Sequence, residues 1–166
     1  HHRVIYNENF RDPIAKWRTL DDTLNKPNSI ASDGTFYLVS DSGNNRIKAY
    51  CKQKDEYVCI NEFSSVGQSP GRIVFDQKNN EFICIASDSQ QISCFRADND
   101  NVSQTGLFNV PALNQTYTRA LRIIDGHCYI LSGPNKILEV RHDDHSFEEI
   151  RAYSIPSQLS GMNDLV

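Results

Sequence analysis

The feature that most constrains this chain is a repeat. Arg46-Ile47-Lys48-Ala49-Tyr50 returns as Gln91-Ile92-Ser93-Cys94-Phe95 and again as Lys136-Ile137-Leu138-Glu139-Val140, placing Ile47, Ile92 and Ile137 at two successive intervals of 45 residues. A fixed period of that size marks an array of small units, none of which can bury its apolar surface alone. The echo continues upstream. Asp33-Gly34-Thr35-Phe36-Tyr37-Leu38-Val39-Ser40 matches Asp125-Gly126-His127-Cys128-Tyr129-Ile130-Leu131-Ser132 nearly position for position, and Asp76 through Ser87 is the same phrase lengthened by polar residues.

Each copy parses into four short apolar or alternating runs separated by turn residues, which is a strand pattern rather than a helix pattern. In the first copy the runs are Ser29-Ile30-Ala31-Ser32, Phe36 to Ser40, the Ile47 run, and Tyr57-Val58-Cys59-Ile60. Asp41-Ser42-Gly43-Asn44-Asn45, Ser87-Asp88-Ser89-Gln90 and Gly133-Pro134-Asn135 join second to third runs with residues that tolerate positive φ or cap a turn. Four-stranded antiparallel sheets recurring every 45 residues predict an all-β chain built as the blades of a β-propeller, because radial repetition hides the edges that a flat array exposes. The predicted blades are 27–63, 70–108 and 118–152, with the start of a next blade at 160–166, all in one domain over 1–166. Three blades cannot close a ring, so a partial propeller is expected.

Residues 27 to 50, which include Asp41-Ser42-Gly43-Asn44-Asn45-Arg46, resemble one NHL repeat, the blade unit of a family of mostly six-bladed propellers. Blades two and three keep the period but have Ser89-Gln90-Gln91 and Pro134-Asn135-Lys136 in place of Asn-Asn-Arg. The resemblance implies that the first strand of each blade lines a central channel, and that the residues leading into those strands meet at one mouth, the usual ligand position. Asn28, Arg72, Arg119 and Asn163 hold those positions. Two arginines facing one another there would hold a carboxylate or phosphate through charge-assisted bonds; structural pairing of each arginine with an acid such as Asp164 is the competing expectation. The function expected is a non-catalytic binding or scaffold propeller recognising a protein segment, a glycan or a small anion. The alternative is a metal-dependent lyase or lactonase of the same propeller type, with its catalytic residues on blades outside this sequence and a divalent metal in the complete ring.

No cofactor or catalytic residue is evident in the chain itself. The positions at the mouth contain no histidine, and no nucleophile elbow or phosphate-cradling glycine loop occurs. His142 and His145 flank Asp143-Asp144 in a predicted turn between outer strands, where a solvated hairpin tip is expected rather than a metal site. Five cysteines, Cys51, Cys59, Cys84, Cys94 and Cys128, form no C-x-x-C pair and read as small core residues. With 21 acids, 17 bases and a net charge of −4, no basic stripe is available for nucleic acid. No apolar run reaches the 18 or so residues of a membrane helix, so a soluble domain is expected. His1-His2 has the look of a tag remnant. One segment departs from the repeat: Asp12-Pro13 followed by Ile14, Trp17 and Leu20 predicts a short amphipathic helix with Pro at its first position.

Overall fold

The structure is a computed structural model that describes residues 2–113, 117–143, 146–159, 162, 164 and 165. It is all-β. After a two-stranded hairpin, β1 (Val4–Tyr6) and β2 (Arg18–Asp21), come three antiparallel sheets of four strands each. The first is β3 (Pro27–Ser32), β4 (Phe36–Asp41), β5 (Arg46–Gln53) and β6 (Glu56–Phe63). The second is β7 (Ile73–Asp76), β8 (Glu81–Ala86), β9 (Gln91–Ala97) and β10 (Val102–Asn109). The third is β11 (Thr118–Ile124), β12 (His127–Ser132), β13 (Lys136–Asp143) and β14 (Ser146–Ser154). Within every sheet the strands lie in chain order, and the first strands β3, β7 and β11 are neighbours across the sheets. These are propeller blades.

The repeat extends to backbone detail. In each blade the pairing of third and fourth strands slips at the same point, between Ala49 and Tyr50, between Cys94 and Phe95, and between Glu139 and Val140. The extra residue on the fourth strand is Ile60, Thr105 and Ile150 in turn, again 45 residues apart. Such a bulge increases local twist and re-aims the side chain it inserts. The turns after β4 and β8 also match: one 3-10 turn closes on a left-handed residue, Asn45 at φ 52° and Gln90 at φ 55°.

In the third blade this turn is one residue shorter, since Ser132 pairs with Lys136 where Asp41 pairs with Arg46. The phrase shared by β4 and β12 is therefore displaced by one position against the blade. Leu38 points forward into the core between blades one and two, whereas Ile130, its counterpart in the phrase, points back into the core between blades two and three. A one-residue slip moves every side chain to the other face.

The cores lie between blades rather than within them. Phe36, Leu38, Ile47 and Ala49 meet Ile73, Phe82, Cys84 and Phe95 in one, and Ile83, Ile85, Ile92 and Cys94 meet Leu121, Cys128, Ile130, Leu138 and Val140 in the next. Strand β8 sits between both cores and is buried at all six positions. Polar ties repeat beside them. Ser42 Oγ donates to the Pro70 carbonyl, and the equivalent Ser87 bonds Thr118 Oγ1, each joining the second-to-third turn of one blade to the segment leading into the next. Asp41, fully buried, accepts from Arg46 Nε at 2.7 Å, from Asn44 and from the Asn25 backbone, which fixes the first blade's turn.

The amphipathic helix expected over Asp12–Leu20 is not formed. Pro13 is extended (ψ 147°), Ile14–Lys16 makes a single 3-10 turn, and the chain then enters β2, which pairs with β1. Ile14 is exposed, and half-buried Trp17 donates its indole N–H to the Asp12 carbonyl at 3.2 Å, so the apolar spacing serves a turn rather than a packed helix face. The hairpin covers the rear face of the first blade, where Val4, Leu20 and Leu24 pack on Val39 and Tyr50.

One buried constellation anchors that hairpin. Asp21 accepts from Lys48 Nζ at 2.6 Å and from the Tyr50 hydroxyl at 2.7 Å, with Thr23 bonded to the same carboxylate. Burial opposes the charge on Asp21, but the bonds from Lys48, Thr23 and Tyr50 together outweigh it and hold the carboxyl well below its ordinary range. Its stabilising contribution is thus full above about pH 4 and lost as pH falls below that value. Asp21→Asn should cost about 2 kcal/mol at pH 7, less than a fully orphaned buried lysine would, because Glu62 stays 3.3 Å from Lys48. Urea unfolding at pH 7 and pH 3 checks this: the gap between wild type and variant should narrow at the lower pH.

Candidate functional site

The inner strands form a concave face of about 430 Å³, lined by Ser29–Ser32 of β3, Arg72–Phe75 and Gln77 around β7, and Ala120–Arg122 of β11 with Asp164. Along β7 alternate residues turn to opposite interblade cores, Ile73 and Phe75 to one and Val74 to the other, and the polar part of the lining comes from Ser29, Ser32, Arg72, Gln77, Arg122 and Asp164. Ile30 is 46% exposed, a branched apolar residue left in the open.

Of the residues singled out from sequence, Asn28 is exposed and lines a smaller cavity of about 120 Å³ with Ser42, Ser69, Gly71, Ser87 and Thr118. Arg72 lines the larger concavity, and its Nε donates to the Arg119 carbonyl at 2.6 Å. Arg119 in turn reaches forward, its Nη1 donating to the Met162 carbonyl at 3.1 Å. The two guanidinium groups are thus linked in series around the ring, each tying its own inner strand to the backbone ahead. Ser29 makes the matching tie from the first blade, its Oγ lying 3.3 Å from the Ile73 amide. Asn163 lies outside the described residues.

Arg122 sits within β11 rather than at its entry, so its place in the strand order does not mark it in the sequence. It lines the concavity and holds Asp164 at 2.6 Å, so the acid expected to pair with the mouth arginines pairs here instead. Both partners are more than 40% exposed, which limits the pair to about 1 kcal/mol or less. Among the described residues no histidine lines this face, and Asp164 is its one carboxylate. What the lining offers is two arginines, serine hydroxyls and a glutamine amide: donors suited to holding an anion or a carbonyl-rich ligand rather than to relaying protons.

His142 is not at a solvated hairpin tip. Its side chain is 5% exposed and lies between blades two and three, stacked on Phe147 with Nε2 2.6 Å from a Glu81 oxygen. Burial lowers the imidazole's proton affinity, but the Glu81 partner outweighs it, and the net direction is upward.

No known protein family and no curated protein matches this sequence. Solved structures superpose on this one, a β-propeller domain among them. A putative 6-phosphogluconolactonase from Bacteroides uniformis superposes with a TM-score of 0.66 at 16% identity, covering 87% of this chain and 48% of its own. The Cps50 (Swd1) β-propeller domain of Myceliophteria thermophila gives 0.66 at 13% identity, covering 93% and 52%. A protein from Lactobacillus plantarum gives 0.64 at 13%, covering 89% and 50%. At such identities the likeness shows the fold, a β-propeller, and this chain spans about half the length of those structures.

Because the arginine ties are charge-assisted and half-buried, Arg72→Ala should destabilise the chain by about 1.5 kcal/mol. Arg72→Lys, which cannot reproduce the Nε geometry, should recover less than half of that. Thermal and urea unfolding of the three proteins measures both effects, and equal stability of Arg72→Ala and wild type would remove the ties from the account.

Proposed function

We propose that this chain is part of a non-catalytic binding propeller of the NHL-like type. It takes a small anion, or an acidic group on a protein segment or glycan, at the axial face around Asn28, Arg72, Arg119 and Asn163. The observation that carries this reading is the Arg72 guanidinium. It is oriented by its Nε bond to the Arg119 carbonyl, and no described residue bonds its two Nη atoms, so a guanidinium edge faces a polar concavity that also holds Arg122. A guanidinium fixed in this way loses little freedom on meeting a carboxylate or phosphate and presents a fork for two parallel bonds.

The second reading is a lactonase, favoured by the names of propellers similar in fold: the putative 6-phosphogluconolactonase of Bacteroides uniformis and the periplasmic gluconolactonase of Pseudomonas aeruginosa, the latter matched with a TM-score of 0.56 at 16% identity. In that reading the catalytic groups and a divalent metal belong to blades outside this sequence.

Calorimetric titration with inorganic phosphate and with gluconate distinguishes the two. The binding reading expects saturable binding of at least one anion, weakened about tenfold or more by Arg72→Ala. Unchanged affinity in that variant disposes of the arginine site. Turnover of 6-phosphogluconolactone above its spontaneous hydrolysis, assayed on a chain extended by the further blades that the second reading requires, would replace the binding reading with the second.

A further inference from the structure

The polar cluster buried between blades two and three has the composition and the outer contacts of a metal site. Glu81 of β8, Cys94 of β9 and His142 of β13 each bring one ligand atom to within 4.8 Å of the other two. All three side chains are almost wholly removed from water: 3% exposed for Glu81, 1% for the Cys94 residue and 5% for His142. Their surroundings are arranged as well. The bulge residue Thr105 donates its hydroxyl to Glu81 Oε1 at 2.9 Å, and Arg96 Nε lies 3.3 Å from that same oxygen, so Oε2 is the one turned toward the imidazole. His142 Nδ1 is 3.4 Å from the Ser146 carbonyl, and its ring stacks on Phe147 at 4.1 Å and 6°. A histidine whose far nitrogen is turned to a backbone carbonyl, and whose ring is clamped, offers Nε2 in a fixed tautomer and direction. This is the usual support around a metal-bound imidazole.

We propose that Glu81, Cys94 and His142 bind one Zn²⁺ ion, stapling blade two to blade three. Glu81 Oε2 and His142 Nε2 are 2.6 Å apart around a shared proton. The ion takes that proton's place, and the two atoms open to about 3.3 Å, the separation of nitrogen and oxygen ligands on one tetrahedral zinc. Cys94 supplies the third ligand as a thiolate and a water molecule carried in with the ion the fourth, while the shared proton and the thiol proton both leave to solvent. Zinc, one carboxylate, one thiolate and a neutral imidazole sum to zero charge, so the dry interface gains no net charge on binding. The mixed nitrogen, oxygen and sulfur set favours zinc over calcium or magnesium, which prefer all-oxygen shells. The site is separate from the axial face, since none of its residues lines that concavity.

The test uses the 166-residue chain carrying His1→Ala and His2→Ala, so that the terminal pair takes no metal. Titration with Co²⁺ should give one ion per chain, the intense visible absorption of a tetrahedral site and a near-ultraviolet thiolate charge-transfer band, all displaced by one equivalent of Zn²⁺. Cys94→Ser should lose the charge-transfer band and bind Zn²⁺ about 100-fold more weakly, with Glu81→Gln as the second variant should the first not fold. A Co²⁺ spectrum of wild type without a thiolate band, or Zn²⁺ affinity equal in wild type and Cys94→Ser, overturns the proposal. The wild-type spectrum decides the matter independently of either variant.

Discussion

The structure depends on one constraint: a four-stranded sheet with apolar residues on both faces has nowhere to put them except against another such sheet. Strand β8 shows the constraint at its strongest, with all six positions buried between two neighbouring blades. Along it Phe82 and Cys84 face backward while Ile83 and Ile85 face forward, so alternate residues of one short strand belong to different cores. No blade here is a folding unit in its own right, and everything else in the molecule follows from keeping adjacent blades in register. The bulge that recurs at Ile60, Thr105 and Ile150 twists each outer edge by the same step, and the Ser42 and Ser87 ties hold each blade to the segment that begins the next.

The same requirement shapes the candidate site. Arginines placed where inner strands begin are well situated to read an axial ligand and equally well situated to bridge neighbouring strands. Arg72 does the second with Nε, bonding the Arg119 carbonyl, and the same residue lines the axial concavity. Arg119 spends its Nη1 on the Met162 carbonyl. The polar groups between blades two and three also join neighbours: Glu81, bonded by Thr105 and Arg96 of its own blade, meets His142 from the next.

The blade plan was legible in the sequence because a period of 45 residues and strand-length apolar runs are strong signals that few folds share. Two kinds of information were not. The phrase shared by β4 and β12 looks like one alignment, yet the shorter turn at Gly133-Pro134-Asn135 displaces it by one residue and reverses which face each side chain takes. Turn length, not similarity of the strands, sets that register. His142 and Glu81 are 61 residues apart, and each alone has the appearance of a surface residue near a hairpin; only the stacking of two blades brings them to 2.6 Å. The segment Asp12–Leu20 carried helix-like spacing that was overridden because pairing of β1 with β2 covers apolar surface on blade one that a single helical turn would leave open.

Native-state hydrogen exchange measures the central claim, that stability resides between blades. If it does, the amides of β8 exchange most slowly, at the rate of global unfolding, while β4 and β12, each the second strand of a blade that has one four-stranded neighbour among the described residues, open at lower free energy. Protection equal in all three strands, or three blades that open independently of one another, would contradict it.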